Sequence, residues 1–153
     1  MKQKYVKADM VLNEKGILKE SELVVYPINI VAVVGDMEKE VNDIYAPNTE
    51  DCNWIGIPPL SSGMRTYLVH RKDNCQMCIL LWTPTFEGCS GHYICHDAGH
   101  AALEVFNYIH ADVGYDDQEP FCYLLGAIYR LFIEAYRELK EFKSKTKIKT
   151  KKK

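Results

Sequence analysis

The chain has 153 residues, 47% of them hydrophobic and 26% charged, which suits one domain with a buried core. No stretch offers the ~20 consecutive apolar residues that a membrane-spanning helix needs. The opening Met1-Lys2-Gln3-Lys4 runs into Asp9, Asn13 and Glu14 rather than into the apolar centre of a signal peptide, so the expected location is the cytoplasm.

Residues 1–20 are polar and only weakly alternating. From Glu22 the pattern sharpens. Leu23-Val24-Val25-Tyr26-Pro27-Ile28-Asn29-Ile30-Val31-Ala32-Val33-Val34 is rich in β-branched residues and reads as strand, with Pro27 at an edge or bulge and Gly35-Asp36 as its end. A short helix is expected over Met37–Tyr45, with Asp36 as its N-cap and Glu38 and Glu40 favoured by the helix dipole in its first turn. Residues 46–63 carry three prolines and two of the nine glycines and read as loop. Met64–His70 and Gln76–Trp82 are strand-like runs separated by Arg71-Lys72-Asp73-Asn74, a hairpin signal.

The remainder reads as helix. Ser90 or Gly91 opens a segment to about Ala111 with an apolar stripe of Ile94, Ala98, Ala101, Val105 and Ile109. After a turn over 112–117, Asp117 can cap a second helix that tolerates Pro120 in its first turn and continues through Leu124, Ile128, Phe132 and Ala135. Strands followed by helices imply an α+β fold, a small mixed or antiparallel sheet followed by two packed helices. The expected organisation is a single domain over 1–142 and a basic tail over 143–153. Net charge is −2, but the tail's Lys143, Lys145, Lys147, Lys149, Lys151, Lys152 and Lys153 carry +7, leaving −9 on the rest. Such a self-repelling segment is expected to be disordered, and it could make weak phosphate contacts with nucleic acid.

Four of the five histidines lie between residues 92 and 110. His96 and His100 are four positions apart, so on a helix their rings share one face about 6 Å apart at Cβ and can reach one tetrahedral ion. They lie around the helix from the apolar stripe. Asp97 places a carboxylate where a general base would stand. Gly99 and Ala98 keep the helix slim, and Glu119, at the start of the next helix, can supply a third donor with one position open for water.

A rival set, Cys75-x2-Cys78 and Cys89-x2-His92, has zinc-knuckle spacing and would make a nucleic-acid-binding module. However, Cys75 and Cys78 run straight into strand, where they would face opposite ways. Without a secretory signal the six cysteines, Cys52, Cys75, Cys78, Cys89, Cys95 and Cys122, read as reduced core residues or metal ligands.

The run His96-Asp97-Ala98-Gly99-His100-Ala101-Ala102-Leu103, followed by Asp117-Gln118-Glu119-Pro120-Phe121-Cys122-Tyr123-Leu124, resembles the active-site helix pair of the zincins. More narrowly, it is similar to small phage-encoded proteins with an H-E-x-x-H-A helix and a D-x-E-P-F-A-Y-L-type helix. The resemblance implies a minimal zincin-like metallopeptidase with Zn2+ on His96, His100 and Glu119. It implies further that Asp97 activates water, Tyr123 lines the site, and a peptide or protein substrate lies against the Thr66-Tyr67-Leu68 and Ile79-Leu80-Leu81-Trp82 strands. If phage-encoded, the protein would act in the host cytoplasm. Zincins carry Glu where this chain has Asp97, one methylene shorter, which leaves a catalytically inactive, zinc-stabilised interaction protein as the alternative.

Overall fold

The computed structural model describes residues 10–48 and 63–150. The fold is α+β. Strands β1 (Met10–Leu12), β2 (Gly16–Glu22) and β3 (Asn29–Gly35) precede helix α1 (Glu38–Ile44). Then come β4 (Tyr45–Pro47), β5 (Arg65–Arg71) and β6 (Met77–Thr83), a 3-10 turn (Glu87–Cys89), and helices α2 (Gly91–Tyr108) and α3 (Glu119–Thr150). The strands form one mixed sheet in the order β1-β2-β3-β6-β5-β4, antiparallel except where β3 and β6 pair in parallel at its centre. No helix among the described residues is long and apolar enough to cross a membrane.

The weakly alternating start of the chain contains a strand pair, because its charged residues are matched rather than solvated. In β2, Ile17 and Leu18 enter the cores on opposite faces of the sheet. Lys19 pairs with Glu138 of α3, and Glu20 accepts hydrogen bonds on the other face. The side chain of Asn13 closes the β1–β2 turn by accepting from the N–H groups of Lys15 (2.9 Å) and Gly16 (3.2 Å). The single apolar run expected from Leu23 to Val34 is divided: Leu23–Ile28 is the connection and only 29–35 is strand. Pro27 has no N–H for a ladder, and the Tyr26 N–H bonds back to Leu23 O instead. Gly35, at φ +100°, ends β3 in a conformation that side chains rarely adopt.

Helix α1 forms where expected, but its N-cap is Met37 with no side-chain cap, so Asp36 does not have the capping role. Of the loop expected over 46–63, residues 49–62, including Cys52, lie outside the described residues, while 45–47 make the short strand β4.

The two faces of the sheet hold separate cores. One packs Ile30, Ala32, Val34, Ile79 and Leu81 under Ile94, Ala98, Ala101 and Val105 of α2 and Leu124, Ile128, Phe132 and Ala135 of α3. The other packs Val31, Val33, Leu80 and Trp82 with Met37 and Val41. Helix α3 passes the expected 142/143 boundary without a break and stays helical through the lysines to Thr150. This replaces a disordered tail with helix over 143–150, and residues 151–153 lie outside the described residues. Lysine is a good helix former, and positive charge near a helix C-terminus is stabilising.

Candidate metal centre

Helix α2 lies across the sheet with Ile94, Ala98, Ala101 and Val105 facing down, so residues one step around its circumference overhang β5. Its start is fixed by a tight corner. The Thr83 hydroxyl donates to Gly63 O at 2.6 Å, and the N–H of Gly88 donates to the Thr85 hydroxyl at 3.3 Å. A methyl group on Gly88 would meet Thr83 Oγ1 at 1.8 Å and Gly63 O at 2.4 Å, so this approach of α2 to the sheet requires glycine.

Between α2 and β5 opens a cavity of about 490 Å³. His92, His96, His100, Asp97 and Glu104 line it from the helix, and Arg65 and Thr66 line it from the strand side. His96 and His100 bring their Nε2 atoms to 3.1 Å, with the rings edge-to-face at 76°. Both rings are exposed to solvent. Asp97, 5% exposed, sits beneath them, and the Thr66 hydroxyl donates to its Oδ1 at 3.0 Å. Burial raises the Asp97 carboxyl above its ordinary value, while the Thr66 hydrogen bond and the charges of His96 and His100 oppose that rise.

Two nitrogens each ~2.05 Å from a tetrahedral zinc ion stand ~3.3 Å apart. The histidine pair therefore fits two neighbouring positions of such an ion. The carboxylate assigned by the resemblance does not join them. Glu119 is exposed in the first turn of α3 and does not line the cavity. The packing of the helices explains why. Phe121 meets Phe106 with ring centroids 5.8 Å apart, and a methyl on Gly99 would meet Leu125 at 3.9 Å. Helix α3 thus runs antiparallel along the Gly99/Phe106 side of α2, at ~100° per residue roughly a quarter-turn from the histidines. Its first turn is level with the end of α2, on the order of 10 Å beyond His100 along the axis. Among the described residues no group of three His, Cys, Asp or Glu side chains is arranged to hold a metal ion. Tyr123, 75% exposed on α3, does not line the cavity either.

The knuckle set is not assembled. Cys75 occupies a turn at φ +60°, and Cys78 is buried on the sheet face opposite α2, whereas His92 is exposed on α2 itself. β6 lies between β3 and β5, so Ile79-Leu80-Leu81-Trp82 offers no sheet edge to a peptide; of the two expected strands, only β5 borders the cavity.

Three lining residues escaped the sequence reading, Arg65, Tyr93 and Glu104, and Thr66 was named only as part of a strand. Glu104 and Thr66 had a signal. Positions 92, 96, 100 and 104 repeat every four residues, which lines up one helix face, and Thr66 is the lone hydroxyl in the alternation Met64-Thr66-Leu68. No protein-family model, no curated protein and no solved structure matches this chain.

Proposed function

We propose that this protein is a zincin-like, zinc-dependent hydrolase of peptide bonds, with His96 and His100 as protein ligands of the metal. The reading rests on one observation, the convergence of the two Nε2 atoms to 3.1 Å at an open cavity floored by the Asp97 carboxylate. Zinc, when bound, polarises a carbonyl and lowers the pKa of water. The chain's own residues supply the rest. Asp97 is placed to accept a proton at its carboxylate, and Thr66 fixes that carboxylate's orientation. Arg65 sets a positive charge at the cavity for a backbone carbonyl or carboxylate of the substrate. β5 forms the wall along which an extended chain can lie.

A second reading, a zinc-stabilised interaction protein without turnover, is favoured by two features: Glu119 does not reach the pair, and Asp97 is already engaged by Thr66.

Metal content of the purified protein is the deciding measurement. The expected result is one zinc per chain, lost in His100→Ala and kept in Cys78→Ala and Glu119→Gln. A chain that neither carries zinc nor takes it up after reloading overturns both readings. Peptide cleavage that is abolished in Asp97→Ala with zinc retained supports the hydrolase; absence of cleavage by the zinc-loaded protein supports the second reading.

A further inference from the structure

Leu139 is the last fully buried residue among the described side chains of α3, yet the helix continues to Thr150, ~16 Å further at 1.5 Å per residue. This extension carries Lys140, Lys143, Lys145, Lys147 and Lys149 against a single acid, Glu141. Its base is anchored. The Lys143 ammonium lies 4.5 Å from the centre of the Phe86 ring, which in turn packs edge-on against Tyr136 at 5.6 Å. The lysines are therefore displayed on a held helix rather than on a flexible segment.

Their arrangement selects among polyanions. At ~100° per residue, positions 140 and 147 fall within ~20° of each other, whereas 145 lies ~140–160° away on the far side. Lys140, Lys145 and Lys147 are exposed. Ile148 is the only exposed large apolar side chain of the described extension, so no apolar stripe exists to enter a lipid interface. A helix 10–12 Å across with cations on opposite sides matches the ~12 Å major groove of B-form DNA, whose walls are both lined by phosphates. The corresponding groove of an A-form RNA duplex is too narrow. After Arg137 the chain has no Arg, Asn or Gln, so of the residues that read base edges in pairs of hydrogen bonds only lysine remains, and its flexible point charge serves the phosphates first.

We propose that residues 140–150 of α3 form a binding rod for double-stranded DNA, seated in the major groove and indifferent to sequence. This is independent of the hydrolytic reading. The test is fluorescence anisotropy of the full-length protein with a labelled 20-base-pair duplex between 50 and 200 mM KCl. The expected result is binding that weakens steeply with salt and is the same for two unrelated sequences. Changing Lys140, Lys145 and Lys147 together to Gln, a comparable helix former, should weaken binding at least tenfold at 50 mM. It should also reduce the log–log salt slope by ~2.7, about 0.9 for each phosphate no longer neutralised. Circular dichroism should show the variant's helix content unchanged. His96→Ala and His100→Ala should bind DNA like the parent, which separates this proposal from the metal site. No binding at 50 mM, or an unchanged slope in the variant, overturns it. Equal or tighter binding of duplex RNA or phosphatidylserine vesicles does so as well.

Discussion

Glu20 and Asp97 are carboxylates on opposite faces of the same sheet, and each is 5% exposed. Around Glu20 every direction is filled. Its oxygens accept from the Tyr45 hydroxyl at 2.5 Å, Asn29 Nδ2 at 2.7 Å and Arg71 Nη1 at 2.7 Å, while the other edge of the Arg71 guanidinium grips Asp73. Burial and the Glu20 hydrogen bond push the Tyr45 hydroxyl far above its ordinary range, so it remains a donor. Asp97 has one described side-chain partner, the Thr66 hydroxyl, and opens onto a cavity beside two histidines. Equal burial thus produces opposite chemistry. A saturated carboxylate is part of the fold's framework, and an under-partnered one retains capacity to act on something else.

Removing the cation from the saturated face should have the largest effect. Arg71→Met leaves the Glu20 charge buried with only neutral donors, the Tyr45 hydroxyl, the Asn29 amide and the Cys78 thiol, and breaking a buried pair in this way costs about 3–5 kcal/mol. Urea denaturation should register that loss as a lower midpoint with a similar slope. A loss below about 1 kcal/mol would mean that Glu20 reaches water on unfolding of a small local segment, and the contrast with Asp97 would collapse.

That framework was the harder half to read from the sequence. The α2 and α3 stripes, the β5–β6 hairpin and the histidine face followed from periodicity, because side chains three and four apart, or two apart, share a face whatever the rest of the chain does. The β2 strand did not follow, because Lys19 and Glu20 look solvated until Glu138 and Arg71, far away in sequence, are brought to them. Glu119 failed for a related reason. Its place at a helix start was legible, but which side of α2 the second helix occupies depends on Gly99 and Phe106. A four-residue spacing gives proximity within one helix and is silent about the partner across from it.

Thr66→Val probes the under-partnered face and should be of middle size. Losing the only described donor to a buried carboxylate costs about 1–3 kcal/mol. The pH dependence has a definite sign. The Asp97 pKa is raised in the folded state, so its ionisation opposes folding: the favourable contribution is complete below the unfolded value and is lost as pH rises through the folded one. The Thr66 hydroxyl limits that loss. The variant's deficit should therefore be full at neutral pH and shrink as acid protonates Asp97. A deficit of the same size at pH 7 and pH 4 would show that the hydroxyl serves packing, not the carboxylate.

The cysteines extend the comparison at almost no cost in stability. Cys78 is buried next to Glu20, and burial, followed by the Glu20 charge, pushes its thiol well above the ordinary value. Cys89, under the α2 corner, is pushed up to about 12, by burial first and by Glu87 second. At pH 8 such a thiol is thiolate in only about one molecule in ten thousand, and the thiolate is the nucleophile. Cys75, Cys95 and Cys122 are exposed. Brief treatment of the native protein with a maleimide, followed by peptide mass mapping, should label those three and spare Cys78 and Cys89 until denaturant is added. Labelling of Cys89 as fast as Cys95 would mean that the Gly88 corner opens readily. The 3.1 Å approach of His96 to His100, on the helix which that corner holds against β5, would then be one arrangement among several.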